Sequence, residues 1–200
     1  MRGGTRSSRP SSTRASEREV ALYLRQLEAT DAEALLEVLV RDRAFLDRWE
    51  PTRRDTFFTL EVQQRGLAKR REAEDLVDFG ILLDAGDELV GRIQLTGISR
   101  APFENAHVGF FVSERHNGRG YATEAVRQAV DAAFGELALH RVQAAVIPRN
   151  VASIRVLEKA AFREEGLALR YLQIAGVWED HKLYAVTAEE WPPKAEAGPQ

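Results

Sequence analysis

The chain has 200 residues, a length that suits one ordinary domain with a single sizeable core. Hydrophobic residues make up 44% of the sequence and charged residues 30%, which excludes a mainly disordered protein. The absence of cysteine excludes disulfides, thiolate metal sites and a cysteine nucleophile. The net charge of −3 argues against binding to DNA through overall charge.

The sequence also lacks the patterns of membrane helices, signal peptides and metal sites. Its apolar runs are far shorter than the roughly 20 residues that span a bilayer, so no membrane helix is predicted. No signal peptide is recognised, and a cytoplasmic location is expected. The four histidines have no HxxxH or HExxH spacing, so no metal site is predicted.

Charge and composition are uneven along the chain. Residues 1–19 contain five Arg and five Ser against two Glu, with almost no side chain that could enter a core. Because such a segment cannot bury enough apolar surface to offset its ordering entropy, it is predicted to be a disordered tail. A transit peptide is the alternative for an Arg- and Ser-rich start. We expect one folded domain at 20–188 and a C-terminal tail at 189–200.

The first part of the domain is predicted to hold a strand and two helices. The strand is expected at 20–28. Thr30 can cap the first helix, Glu33 completes a capping box, and Pro51 ends the apolar stripe that follows. A second helix is expected at 56–74. One side of this helix is predicted to consist of Leu60, Gln64, Leu67 and Arg71.

Three strands with short connections come next. They are expected at 76–83, 89–98 and 107–113, and their alternating pattern favours an antiparallel meander. Gly109 lies inside the third of these strands, where a glycine often marks a bulge or a close approach of two backbones.

The last part of the domain alternates helices and strands. The pattern predicts a helix that ends at Phe134, a strand at 141–147, a helix at 150–161, and strands from 162 onward, at 171–174 and at 178–186. Antiparallel hairpins are thus combined with strand–helix–strand crossovers. This combination indicates an α+β domain, in which helices and strands are mixed in one layered unit.

A glycine loop, R-x-x-G-x-G at residues 115–120, joins the meander to a helix. A helix start offers free backbone N–H groups and a positive dipole end, which together favour phosphate or pyrophosphate. A Walker loop is excluded because Tyr121 follows the last glycine where that motif has Lys. A dinucleotide fingerprint is disfavoured because Thr123 stands at its third glycine. For the hexamer alone, a surface turn with two glycines remains the alternative.

The segments around this loop add a family resemblance. The loop resembles the pyrophosphate-binding loop of the GCN5-related N-acetyltransferases (GNAT). The segment P-R-N-V-A-S-I-R-V-L-E-K-A-A-F at 148–162 is similar to the P-x-N-x-x-S-x-x-x-L-E-K-x-G-F segment of that family. F-L-D-R-W-E-P at 45–51 and G-V-W-E-D-H at 176–181 resemble its RimJ/RimL-like branch, which acetylates ribosomal-protein N-termini. Ala161 stands where the family has Gly, and we expect only a packing change there.

The resemblance, which covers about residues 20–187, implies both a fold and a co-substrate. The fold would be a mostly antiparallel, twisted sheet of about seven strands, splayed between strands 4 and 5 and flanked by helices. Acetyl-CoA would lie in the splay, and no metal would be needed. The residues implied to bind acetyl-CoA are Phe111, Val112, Arg115, Asn117, Gly118, Arg119, Gly120, Tyr121, Ala122, Asn150 and Ser153.

The implied reaction is direct attack of an amine on the thioester. Many relatives use a tyrosine on the last helix as the acid, but Leu157 stands at the matching position. Ser153, one turn earlier, is therefore predicted to stabilise the thiolate; the alternative is that it only caps or back-bonds its helix. Glu104 is predicted to be the base, with a solvated carboxylate at a strand end as the alternative. The acceptor cleft is predicted to include Trp49, Glu50 and His181.

The predicted acceptor is the N-terminal α-amine of a protein. Such an amine has a pKa near 8, so about a tenth of it is neutral at pH 7 and a weak base suffices. Two alternatives stay open. One is an acetyltransferase for small amines such as antibiotics, polyamines or amino acids; the other is a CoA-binding sensor without catalysis. The chain is expected to act as a monomer or a homodimer.

Overall fold

The computed structural model describes residues 21–191, which form a seven-stranded sheet with helices on both faces. The strands are β1 (Leu22–Gln26), β2 (Leu76–Leu83), β3 (Glu88–Ser99), β4 (Asn105–Val112), β5 (Arg141–Val146), β6 (Arg163–Ile174) and β7 (Val177–Thr187). The helices are α1 (Ala32–Arg41), α2 (Arg43–Leu46), α3 (Leu60–Arg71), α4 (Tyr121–Phe134) and α5 (Val151–Lys159). The strand order β1-β2-β3-β4-β5-β7-β6 confirms the predicted meander and the mixed α/β class.

The predicted splay between the fourth and fifth strands is also confirmed. β4 and β5 are parallel, and they pair only where Asn105–His107 lies beside 141–143. Every other pair of neighbouring strands is antiparallel. Beyond His107 the two strands separate, so the edge of β4 that faces β5 has no strand partner there. This separation opens the sheet at its centre.

Each face of the sheet has its own hydrophobic core. On one face, α4 packs through alanines of zero exposure, which let the helix lie close to the strands. On the other face, α1 and α3 cover the sheet through Leu35, Leu39 and Leu67. Phe111 of β4 belongs to this second core, whereas Val112 belongs to the first. The alternation of side chains along β4 therefore connects both cores to the splay.

The first helix begins differently from the prediction. The chain forms a 3-10 turn at Ala29–Asp31 before α1, so Thr30 lies inside this turn and does not cap α1 with Glu33. The Asp31 carboxylate instead accepts a hydrogen bond from the Glu28 N–H at 2.8 Å. A capping box formed by Glu28 and Asp31 around the 3-10 turn is thus present in place of the predicted one at Thr30 and Glu33.

The second predicted helix is shorter than predicted, and it is rotated about its axis so that a different face is buried. A 3-10 turn at Asp55–Phe58 precedes α3, which starts at Leu60. Gln63, and not Gln64, is buried, and Leu60 is exposed. The buried Gln63 amide donates a hydrogen bond to the carbonyl of Phe57 in the preceding turn, so the turn fixes which face is buried.

The bulge expected at Gly109 is absent from the pairing of β4 with β3. The register is continuous from His107 to Val112, and the irregularity lies nearer the other end of β4, between Thr96 and Ser99 of β3. The close backbone approach occurs at Gly91 instead, where an added Cβ would collide with the Phe111 carbonyl oxygen.

The alanine at position 161, where the family has glycine, affects the backbone conformation and not the packing as expected. Ala161 is exposed and has a φ of 63°, in the left-handed region that favours glycine. It ends the segment after α5, and the chain turns there into β6. An alanine at this position therefore carries local strain that a glycine would not.

Both predicted tails lie at the ends of the chain, where the described residues stop. The predicted disordered tail at 1–19 lies outside the described residues, as does most of the predicted tail at 189–200. Trp191 packs on Phe134 of α4 and donates a hydrogen bond to the Asp131 carboxylate at 2.8 Å. Within 21–191, no helix is long and apolar enough to cross a membrane.

Candidate active site

A cavity of about 600 Å³ opens where β4 and β5 separate. Its lining comes from both faces of the sheet, so it connects the α4–α5 side with the α1–α2 side. It brings together most of the residues that the sequence indicated. These are Trp49, Glu50, Phe111, Val112, Asn117, Gly118, Gly120, Tyr121, Ala122, Asn150, Ser153 and His181.

The glycine loop forms an open cradle at the start of α4. Gly118 and Gly120 have φ values of 77° and 84°, which a residue with a side chain rarely adopts. A Cβ at either glycine would meet no heavy atom within 4 Å. No side chain caps α4, and the N–H groups of its first turn have no partner within the helix. These features fit a bound pyrophosphate group, as found at other helix N-termini.

The cations that line the cavity differ from those that the sequence indicated. Arg115 forms an ion pair with Glu88, and neither Arg115 nor the exposed Arg119 lines the cavity. Arg155 and Lys159 of α5 do line it. Their spacing of four residues places both on one face of α5, a signal that the sequence contained and the sequence analysis missed.

The start of α5 presents a free hydroxyl group to the cavity. The Asn150 side-chain oxygen accepts the Ser153 N–H at 3.2 Å, so Asn150 caps the helix. The Ser153 hydroxyl itself makes no hydrogen bond with any residue of the described chain. The capping alternative therefore concerns the backbone of Ser153, and its side chain remains available to a ligand.

On the opposite wall, Trp49 is held between two arginines. The guanidinium carbons of Arg48 and Arg149 each lie 5.2 Å from its ring centroid, a cation–π distance. Arg149 also forms an ion pair with Glu179 of β7 at 2.6 Å. These contacts connect the segment after α2 with the start of β7, so the wall is built from two distant parts of the chain.

His181 of β7 is buried in the same wall, and a hydrogen bond to a backbone carbonyl indicates its tautomer. Its Nδ1 lies 3.0 Å from the Glu179 carbonyl oxygen, and its ring is 5.5 Å from that of Tyr171. Because a carbonyl oxygen only accepts, Nδ1 carries the hydrogen. In the neutral ring Nε2 then keeps its lone pair and can accept a proton.

Glu104 is not part of the cavity lining. It precedes β4 at the end where β4 and β5 are paired, with a φ of 45°. Its carbonyl oxygen accepts the N–H groups of His140 and Arg141 at 2.8 and 3.0 Å. The structure thus gives Glu104 a role in the backbone geometry of this turn and places it apart from the residues around the splay.

Arg92 and Gln94 of β3 line the cavity and were also missed by the sequence analysis. Burial lowers the pKa of Arg92, while the nearby Asp78 carboxylate opposes this shift. His116, after β4, is likewise buried and lines the cavity, and burial lowers its pKa. Among residues 21–191, no group of three or more metal-ligating side chains could hold an ion.

Comparison with known proteins assigns the chain to a class of enzymes. Residues 21–163 match the family described as Acetyltransferase (GNAT) domain, so the chain belongs to the GNAT family. The chain is therefore an N-acetyltransferase by family, in agreement with the sequence motifs.

Three similar proteins each match most of this chain. The "Probable N-acetyltransferase YjcK" of Bacillus subtilis is 43% identical over 168 residues, covering 82% of this chain and 93% of YjcK. The "[Ribosomal protein uS5]-alanine N-acetyltransferase" of Escherichia coli is 29% identical over 175 residues, covering 86% and 90%. The structure of Mycobacterium smegmatis RimJ in complex with CoA-disulfide matches with a TM-score of 0.83 at 34% identity, covering 87% and 85%.

Proposed function

We propose that the chain transfers the acetyl group of acetyl-CoA to the N-terminal α-amine of a protein, with ribosomal proteins as the acceptor class. The observation that carries this proposal is the cavity through the splayed sheet, which joins the open glycine cradle to a second wall on the opposite face. The similarity to RimJ and to the uS5-alanine enzyme supports the acceptor class. A ribosomal-protein acceptor would place the reaction in the cytoplasm.

The α4–α5 side of the cavity would hold the co-substrate. The backbone at 117–122 would bind the pyrophosphate, and Arg155 and Lys159 would add positive charge beside it. Acetyl-CoA supplies the acetyl group as an activated thioester. The free edge of β4 offers backbone N–H groups near Phe111 or Val112, which would polarise the thioester carbonyl.

The chain would provide one group that stabilises the leaving thiolate and one that accepts the amine proton. Transfer forms a C–N bond and breaks a C–S bond, so the amine nitrogen loses one proton and the sulfur gains one. Ser153 would donate a hydrogen bond to the departing thiolate, which takes its proton from solvent. His181 would accept the nitrogen proton at Nε2, because it lies in the cavity wall with Nδ1 already committed as a donor. We propose His181 in place of Glu104, the base predicted from the sequence, because Glu104 is not part of the cavity lining.

The test is thiol release from acetyl-CoA with a panel of acceptors. One peptide begins with alanine and contains no lysine; its matched control has a blocked N-terminus and one lysine. Spermidine, an aminoglycoside and free alanine complete the panel. We expect turnover of the first peptide and none of the blocked one. Turnover of small amines alone would overturn the acceptor class, and tight CoA binding without turnover of any amine would favour the sensor alternative.

A further inference from the structure

Arg92 brings a buried positive charge to the acceptor side of the cavity. It is only 8% exposed, yet it lines the cavity. On β3 it stands opposite Phe111 of β4, and its guanidinium carbon lies 5.6 Å from the Phe111 ring centroid. It therefore lies one strand away from the β4 segment proposed to face the acetyl group.

The guanidinium of Arg92 has no hydrogen-bond acceptor within the described part of the chain. Its one ionic contact is the distance of 3.9 Å from Nε to Oδ1 of Asp78. The other oxygen of Asp78 accepts a hydrogen bond of 2.6 Å from Nε of Arg70. A guanidinium has five N–H donors. The nitrogens of Arg92 are not among the fully buried polar atoms that lack a partner, so they are accessible from the cavity. Donors left free at a cavity wall point to an oxygen that arrives with a ligand.

We propose that Arg92 determines acceptor specificity by donating hydrogen bonds to the carbonyl oxygen next to the reacting amine. The acceptor would then be an α-amino acyl compound, in which the amine and the C=O group share one carbon. A peptide N-terminus and a free amino acid both contain this unit, and a polyamine does not. This inference rests on the proposed function, since it concerns the acceptor side of the same cavity.

The charges around Arg92 favour the same class. Arg53 and Glu50 also line the cavity, so the wall carries two arginines against one carboxylate. Asp78 adds little negative charge to the cavity because it is buried and already paired with Arg70. The second ammonium group of a polyamine would meet like charge here, whereas a carbonyl or carboxylate oxygen would be attracted.

The wild-type protein provides the first arm of the test. Alaninamide and isopropylamine differ by exchange of the carboxamide for a methyl group. The kcat/KM value of each compound is divided by the fraction of its amine that is neutral at the assay pH. This correction removes the effect of the different amine pKa values. We expect alaninamide to be preferred by about tenfold or more, the usual worth of a hydrogen bond to a charged group. Equal values for the two amines would overturn the inference.

The second arm uses Arg92→Lys, which keeps a positive charge beside Asp78 but loses the planar donor pair. The expected result is a rise in the alaninamide and peptide KM of about tenfold, with little change in kcat. The isopropylamine rate and the Kd for acetyl-CoA should stay within about twofold, which also reports an intact fold. Arg65→Gln, an exposed arginine of α3, serves as the control and should change nothing. An unchanged preference in Arg92→Lys would contradict the inference.

The panel separates this inference from the proposed function. Turnover of alaninamide and alanine but not of peptides would overturn the protein acceptor and leave the role of Arg92 intact. Turnover of peptides with no dependence on Arg92 would overturn the role of Arg92 alone. Failure to acetylate any α-amino acyl compound would overturn both.

Discussion

At the scale of single residues, the Ser153 hydroxyl is the clearest catalytic candidate. It lines the cavity and has no hydrogen-bond partner in 21–191. Ser153→Ala removes a donor to the departing sulfur, so we expect kcat to fall by about tenfold to a hundredfold. The Kd for acetyl-CoA should change little because the pyrophosphate cradle is untouched. Single-turnover kinetics and calorimetric binding measure the two effects separately.

The stability of the same variant serves as its control. The cap of α5 uses the backbone N–H of residue 153 and the side chain of Asn150, so Ser153→Ala retains it. Asn150→Ala removes this cap and should lower the free energy of unfolding by about 1 kcal/mol. Unchanged kcat in Ser153→Ala would leave the hydroxyl without a role in catalysis. If Ser153→Ala lost as much stability as Asn150→Ala, the fall in kcat would have a structural cause.

Ala161 allows a second prediction, on stability. Its φ of 63° strains an alanine, whereas glycine adopts this conformation freely. Ala161→Gly should therefore raise the free energy of unfolding by about 0.5–1 kcal/mol, after allowing for the greater entropy of glycine in the unfolded chain. Urea unfolding measures the change. Ala132→Gly, within α4, should have the opposite sign, and equal signs for the two variants would contradict the explanation.

At the scale of elements, the loop before α4 can be tested with a matched pair of glycines. Gly120 and Gly86 have φ values of 84° and 94°, and a Cβ at either would meet nothing within 4 Å. Both alanine variants should lose about 1 kcal/mol of stability through backbone strain. Only Gly120→Ala should also weaken acetyl-CoA binding, on the order of tenfold, because its methyl group would occupy the cradle.

Binding measurements on the two variants give the decisive comparison. Gly86 lies in the turn between β2 and β3 and does not line the cavity, so its variant should bind acetyl-CoA like the wild type. If both variants lose affinity equally, strain and not the cradle explains the loss. If neither loses affinity, the pyrophosphate does not contact this loop.

The elements also show what the sequence could and could not predict. The succession of strands and helices and the glycine loop were predictable because hydrophobic period and glycine spacing are local signals. The splay between β4 and β5 was implied only by the family resemblance. The position of Arg92 in the site was not predictable from the sequence. The alternating pattern of a strand does not reveal which of its faces lines a cavity that two other strands form. Gln63 was missed because the preceding turn sets the rotation of α3. His181 was indicated by a motif, but its free Nε2 follows from a contact with the Glu179 carbonyl.

At the scale of the whole molecule, the splay explains why one site can serve two ligands. A continuous sheet would separate its two faces, each with its own core. Because β4 and β5 pair over only three residues, the cavity passes between them and receives side chains from both faces. The proposed co-substrate and acceptor can thus meet at the sheet without occupying the same entrance.

The stability of the whole molecule should depend on pH through two histidines. Burial, with help from Arg141, lowers the pKa of His107 from its ordinary value of 6.5, and burial lowers that of His116. The unfolded chain therefore binds more protons than the folded chain just below pH 6.5. The contribution of these two histidines to the free energy of unfolding should be fully present above pH 6.5. It should decline as the pH falls below that value.

Urea unfolding between pH 8 and 5 would measure this dependence in the wild type and in the double variant His107→Gln, His116→Gln. The double variant should lose most of the slope below pH 6.5. The lower limit of pH 5 keeps the carboxyl groups of Glu164 and Glu165 charged; hydrogen bonds from Lys182 and Arg141 hold their pKa values below the usual 4.5. Their contribution to stability is lost only at lower pH. A slope that persists in the double variant, or stability that increases toward pH 5, would contradict the assignment to His107 and His116.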